Sequence, residues 1–325
     1  MVNMSDKKIS LDKVFTFGAV VILFTVFSIT ATNFFTVRNL LTMALQTSTI
    51  TLMGIGVTYV IITAGIDLSI GSVIALTGTL AVMAANLGWP TWLAIAVGLV
   101  TGIACGLGNG LLVTHLRLPP FIATLGTMMI FRGLVLTVTN ANSSPAPDEF
   151  GALGNLTLFK VSAPDGTTVF PGISYIVLVM IGMALIFHFV LKKTRIGRYI
   201  YAIGSNEEAA RLSGIKVRQT KLAAYVVSGF LSAVVGVLLA SRMVTSQPNG
   251  GIGYELNAIA ASVIGGTSLM GGIGTVGGAV VGSFIIGILN TGLTMQGASY
   301  FAQQIVIGAV VIGAVAIDQL RNKRA

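Results

Sequence analysis

KKTRIGRYIYAIGSNEEAARLSGIKVRQTKLAAYVVSGFLSAVVGVLLA, Lys192–Ala240, joins two chemistries at one point. Residues 192–221 hold eight of the chain's 19 Lys and Arg, whereas Leu222–Ala240 contains no charged residue. As a helix the second part rises about 28 Å, close to the roughly 30 Å of a bilayer's hydrocarbon core. A membrane span therefore begins where a basic, water-facing loop ends.

The rest of the 325-residue chain repeats this alternation. It is 54% hydrophobic and 9% charged, against about 25% charged for a soluble domain, so it cannot coat its own core with polar surface. Backbone groups inside lipid must be satisfied within their own segment, which makes the long apolar runs helices. No strand-like alternation of apolar and polar residues suggests a barrel. The fold class is all-α, a polytopic helical membrane protein with about ten transmembrane helices. These are expected near 14–32, 40–63, 70–87, 91–114, 121–140, 173–191, 222–241, 256–271, 275–294 and 303–318. Residues 1–325 read as a single transmembrane domain.

Net charge is +9, but it collects in loops between spans, which argues for a lipid surface and against nucleic acid. Fourteen of the 19 Lys and Arg lie in three segments: Lys7, Lys8 and Lys13, the loop 192–221, and Arg321, Lys323 and Arg324. All three, and hence both termini, should be cytoplasmic. The connection 141–172 carries Asp148, Glu149 and Asp165 against Lys160, with Pro145, Pro147, Pro164 and Pro171. It reads as an external, non-helical loop. Five spans precede it and five follow. The first span lacks a cleavage signature and reads as a retained anchor. The lone Cys105 excludes an internal disulfide framework.

Glycines at 102, 106 and 110, and at 274, 278 and 282, place small residues on one helix face and invite close helix packing. The run Gly272–Gly277 fits GxGxxG but has no preceding strand and lies in a membrane stretch, so packing is again the reading. GIDLSIG (65–71) and GTSLMGG (266–272) form a faint internal echo.

GSNEEAARLSG, Gly204–Gly214, differs from its surroundings. Ser205 and Glu208 form a capping box. Glu207 and Glu208 suit the first turn and Arg211 the last, and Gly214 suits a left-handed stop. About two turns of helix are expected, near 206–213. So short a helix is marginal alone and needs something to hold it, either its own membrane domain or a partner.

The spelling Glu208-Ala209-Ala210 followed by Gly214 resembles the E-A-A-x-x-x-G pattern in the cytoplasmic loop of ABC importer permeases. TAGIDLSIGSVIALTG, FIATLGTMMIFRGL, GRYIYAIGSNEEAARLSGIKV and GYELNAIAASVIGGTSLMGGIGTVGGA extend the resemblance, nearly end to end, to the ribose-type family of sugar permeases. The resemblance implies a permease subunit of the bacterial inner membrane that imports a pentose or hexose by alternating access. It works as a pair of copies with a cytoplasmic ATPase subunit and a periplasmic or tethered sugar-binding protein. Ser205, Glu207, Glu208, Ala209, Ala210, Arg211 and Gly214 would form the ATPase-coupling helix. No G-x-x-x-x-G-K-[ST] occurs here, so ATP and Mg belong to the partner and this chain is no enzyme.

Gln46, Asn109, Arg132 and Asn290 are polar residues inside apolar runs. Each is read either as an interhelical contact or as lining of the translocation path. Asp67, placed at the cytoplasmic boundary, either caps a helix starting near Leu68 or serves a gate. Arg242 and Glu255 are candidates for binding-protein docking, with helix-dipole stabilisation as the alternative for Glu255. No histidine and carboxylate spacing fits a metal site. An ion-driven transporter would need acids near the bilayer centre. Asp67, Glu255 and Asp318 read as lying at span edges, which speaks against it.

Overall fold

The computed structural model describes residues 4–162 and 168–322; Pro164, Asp165, Lys323 and Arg324 lie outside them, as do the side chains of Lys7, Lys8, Lys13, Asp318 and Arg321. Thirteen helices occur among the described residues. Six are long and apolar enough to cross a membrane: α2 (Val37–Ile62), α4 (Thr91–Thr114), α5 (Pro120–Thr139), α7 (Tyr175–Lys193), α10 (Val217–Met243) and α12 (Val276–Met295). The other four expected spans fall on α1 (Met4–Thr30), α3 (Ile70–Asn86), α11 (Tyr254–Ile264) and α13 (Tyr300–Asn322), whose described apolar parts are shorter.

The helices α2 and α10 form the centre. Tyr59, Leu52 and Ile55 on α2 are fully buried, as are Tyr225, Leu231 and Val235 on α10. Glycine and small residues let neighbours approach to backbone distance, as the spacing predicts for α4. A Cβ on Gly102 would strike Gly229 and Ala233 of α10, and one on Gly106 would strike Tyr225. In the later triplet only Gly278 and Gly282 lie on α12, packed on Gly265 and Ala261. Gly274 precedes the helix, whose first turn is capped by the Thr275 hydroxyl. Hydroxyls stitch the remaining seams: Thr58 and Ser262 lie 2.7 Å apart between α2 and α11, and Tyr59 donates to the Phe187 carbonyl of α7 at 2.5 Å.

Two expectations need correction. The segment 141–172 is not free of helix, because α6 (Asp148–Asn155) follows Pro147 with both acids in its first turn. Acids there are favoured by the exposed amides, and Phe150 anchors the helix in the bundle. Beyond it, β1 (Thr157–Leu158) pairs with β4 (Ile173–Ser174) and β2 (Val161–Ser162) with β3 (Thr168–Phe170), both antiparallel. The basic loop also holds a second helix, α8 (Arg195–Ser205), ahead of the expected short one, α9 (Glu207–Leu212).

Candidate coupling and translocation site

At the basic end, α8 buries Gly197, Ile200 and Ile203 on one side and exposes Arg195 and Arg198 on the other. Its last residues turn directly into α9. The cap of α9 is Asn206, whose side-chain oxygen accepts the Ala209 amide at 2.9 Å. Ser205 is therefore not the capping residue. It ends α8 and donates its hydroxyl to the Tyr201 carbonyl at 3.0 Å, because α8 continues helical through the position a cap would need to leave. Glu208 accepts from Arg211 at 2.6 Å, and Glu207 accepts from Lys221 of α10 at 2.5 Å. The Glu208 hydrogen bond, with the charges of Glu208 and Glu207, pushes the Arg211 pKa above its usual value. Gly214 stops the helix at φ +81°, as its sequence position predicts. Ala210 is buried, Ala209 is exposed, and Leu212 is 80% exposed. The short helix thus has a packed underside and an open outer face.

Beneath this pair lies a joint made of backbone. The Gly272 amide donates to the Ile62 carbonyl at the end of α2, at 2.9 Å. A Cβ on Gly204 would collide with both of those groups, and one on Gly271 would crowd Ala64 and the Gly204 carbonyl. Tyr201 adds a hydroxyl bond of 2.6 Å to the Gly274 carbonyl. The end of α8 is therefore wedged between the α2–α3 and α11–α12 connections. These are the two stretches that carry the internal echo, and they lie side by side.

From this joint both connections lead inward. Residues 63–69 run non-helically back into the bundle, where Asp67 is buried. Its Oδ1 accepts the Ser69 amide at 3.0 Å and the Ser69 hydroxyl at 2.7 Å, and its Oδ2 accepts the Ser228 hydroxyl at 2.7 Å. Asn109 donates to the same Ser69 hydroxyl at 2.7 Å. Asp67 thus lies inside the bundle and does not cap a helix at Leu68. The helix α3 begins at Ile70 without a side-chain cap, because the carboxylate is drawn to hydroxyls on its own loop and on α10. Backbone without helix at such depth needs protein on every side, and this cluster supplies it.

Gly71, in the first turn of α3, lies about 22 Å of helix below Asn86 at the opposite end. There it meets the loop 244–253, which folds back into the bundle after α10. A Cβ on Gly71 would collide with the Gly251 carbonyl and the Glu255 carboxylate. Arg132 of α5 donates to the carbonyls of Pro248 and Gly250 at 2.7 and 2.8 Å. The helix α11 starts at Tyr254 beside this contact and runs to the basic end. Two shortened helices therefore begin near mid-bundle, their positive ends together. Glu255 lies between them and also accepts the Gly253 amide at 3.2 Å. Beside the loop is a cavity of about 90 Å³ bordered by Thr79, Gln247 and Tyr254. Asp67 is buried inside the bundle, so the expectation that acids keep to span edges does not hold for it, whereas Glu255 opens α11 as its position predicts.

A family model describing the permease component of branched-chain amino acid transport systems matches residues 39–315. The chain belongs to that permease family. It is 42% identical over 268 residues to the ribose import permease protein RbsC of Haemophilus influenzae, covering 82% of this chain and 81% of that one. The Bacillus subtilis RbsC is 41% identical over 272 residues (84% and 82%), and the Escherichia coli xylose transport system permease protein XylH is 37% identical over 298 residues (76% and 76%). No solved structure matches.

Within this permease the four candidate path residues do not converge. Asn109 belongs to the Asp67 cluster and Arg132 to the re-entrant loop. Gln46 is exposed on α2, and Asn290 is half-buried on α12. Arg242, half-buried in the last turn of α10, makes no ion pair with Glu255 among the described residues; its carbonyl accepts from Asn155 of α6 at 3.1 Å. No cluster of three or more metal-ligating side chains occurs among the described residues. Sequence reasoning missed α8, the joint at Gly204 and Gly272, and the contact of Gly71 with Gly251. The spacing of Gly197, Ile200 and Ile203 after Thr194, itself an N-cap, marks α8. The echo marks the joint.

Proposed function

We propose that this chain, over residues 1–325, is the membrane-spanning subunit of an ATP-driven ABC importer for a monosaccharide, a ribose-like pentose or a hexose. It crosses a bacterial inner membrane about ten times, with α8, α9 and both termini in the cytoplasm. It works as two copies with a cytoplasmic ATPase, which holds the ATP and Mg, and with a periplasmic or tethered sugar-binding protein. In this reading closure of the ATPase pair pushes on α9, α8 passes the push to the joint at Ile62 and Gly272, and the two half-helices part and meet again around the sugar. Weak sugar contacts suffice, because the binding protein performs capture.

The observation that carries the reading is the seating of α9. It is a capped, outward-facing helix whose base is wedged against both connections leading to mid-bundle. The names of the RbsC and XylH relatives support the sugar. Purification with an ATPase subunit, followed by ATP turnover measured with and without loaded binding protein, tests it. Sugar uptake by the chain without any ATPase would sink it.

The burial of Asp67 favours a second reading, transport coupled to an ion gradient. A protonophore that stops uptake while ATP is abundant would support that one.

A further inference from the structure

A crevice of about 630 Å³ opens at the basic end between α1, α7, α8, the loop 265–275 and the first turns of α12. It shares Tyr201, Gly272 and Gly274 with the coupling joint, and the mid-bundle contact does not reach it. Its walls are apolar, with Phe17, Leu191, Val276 and Val281 facing it, and much of its floor is glycine backbone. A Cβ on Gly266 or Gly277 would meet nothing within 4 Å, so these two positions open onto the crevice, whereas Gly265 and Gly278 pack on each other beside them.

One side of this apolar trough carries the Lys192 ammonium and the His188 imidazole. They lie one turn apart on α7, both border the crevice, and both are exposed. Neither makes a hydrogen bond or ion pair with a described residue. No acidic side chain among the described residues borders the crevice. The 20-residue helix α12 begins at the same place. Thr275 takes the Gly278 amide at 2.9 Å, while the amides of Val276 and Gly277 keep no partner within the helix. Hydrocarbon walls under a rim holding Lys192 and the free amides of a helix start fit an amphiphile with an anionic head and an apolar tail. A sugar, polar on every side, does not fit these walls.

We propose that this crevice binds an anionic glycerophospholipid of the surrounding membrane. The phosphodiester sits at Lys192, His188 and the first amides of α12, and an acyl chain lies along Phe17, Leu191 and Val281. Tyr201 of α8 and Gly274 border the same space, so an occupied crevice braces the joint on which α9 rides. The assignment rests on the membrane orientation above, but not on the identity of the sugar.

The test uses the full chain, reconstituted in nanodiscs of phosphatidylglycerol and phosphatidylcholine in equal parts and then extracted for native mass spectrometry. The expected result is selective retention of phosphatidylglycerol. Lys192→Gln should weaken retention about five-fold, since one basic side chain near a membrane surface contributes about a factor of that size. Gly277→Leu, which fills the floor and keeps the charges, should weaken it at least as much. Unchanged melting temperatures in detergent show that both variants fold. Equal retention of phosphatidylcholine, or retention unaffected by either variant, overturns the proposal. So does displacement of the lipid by inorganic phosphate alone, which would mark a free-anion site. Loss of pairing between copies in Gly277→Leu, with lipid retention unchanged, would assign the crevice to a second copy instead. A permease that retains the lipid yet stimulates no ATPase would sink the transport reading and leave this one intact.

Discussion

The helix α9 and the mid-bundle contact of α3 with α11 are held by opposite means. Side chains close to one another in sequence hold α9: Asn206 caps it, and Glu208 pairs with Arg211 three residues on. Backbone atoms about 180 positions apart meet at the other, where Gly71 faces Gly251 beside the Glu255 carboxylate and leaves no room for a Cβ. The first is open to water and replaceable piece by piece. The second is glycine-lined and intolerant of any added atom. On the proposed mechanism, a surface that receives a push needs a defined shape, whereas a contact that separates and re-forms needs smooth, close backbone with few directional bonds. Surface changes at α9 should therefore cost function more than stability, and changes at mid-bundle should cost both.

The severest test of that contrast is Gly71→Val. With the Gly251 carbonyl and Glu255 in the way, overpacking should remove about 3 kcal/mol of stability. Thermal unfolding in detergent would show it, with uptake lost as well. Asp67→Ala leaves the hydroxyls of Ser69 and Ser228 buried without their acceptor and should cost about 2 kcal/mol by the same measurement. Its retention of full stability would remove the hydroxyl cluster from the account of the broken segment. Gly214→Val puts a β-branched residue at φ +81°, a penalty of about 1–2 kcal/mol. Because the strain is local, the main readout should be ATP turnover that no longer drives uptake. Glu255→Gln removes the negative charge between two helix N-termini and should cost about 1 kcal/mol, with transport slowed rather than abolished. The smallest stability effect belongs to Glu208→Lys, which should leave the melting temperature unchanged and uncouple ATP turnover from uptake. Normal uptake in both Gly214→Val and Glu208→Lys would break the comparison, because α9 would then be ornament.

What could be read from sequence follows the same division. Six of the apolar runs, the short helix and the glycine stop at 214 are local signals that fall where the residues indicate, although the cap moves by one residue from Ser205 to Asn206. The starts of α3 and α11 are not local. A run such as 256–271 looks long enough to span, yet α11 ends at Ile264. Among the glycines that follow it, Gly271 and Gly272 adopt turns that meet Ile62 and Gly204. Asp67 looks like a boundary residue because an isolated acid in an apolar run usually is one. Its burial depends on Ser228, 161 positions away. The composition of residues 141–172 gives no warning of α6 for a similar reason, since Phe150 and the Gly154 amide are bound to the end of α10, the latter through the Ser241 hydroxyl at 2.7 Å.

The dependence of residues 63–69 on partners made much later bears on how the protein is assembled. When α2 and α3 leave the ribosome, neither the Ser228 hydroxyl nor the loop 265–275 yet exists. A carboxylate and a stretch of unpaired peptide groups would then stand bare to lipid. The nascent chain must therefore wait in the insertion machinery, or beside water, until most of its length has been synthesised. Truncations ending before Ser228 should be held there and degraded rather than released as stable fragments.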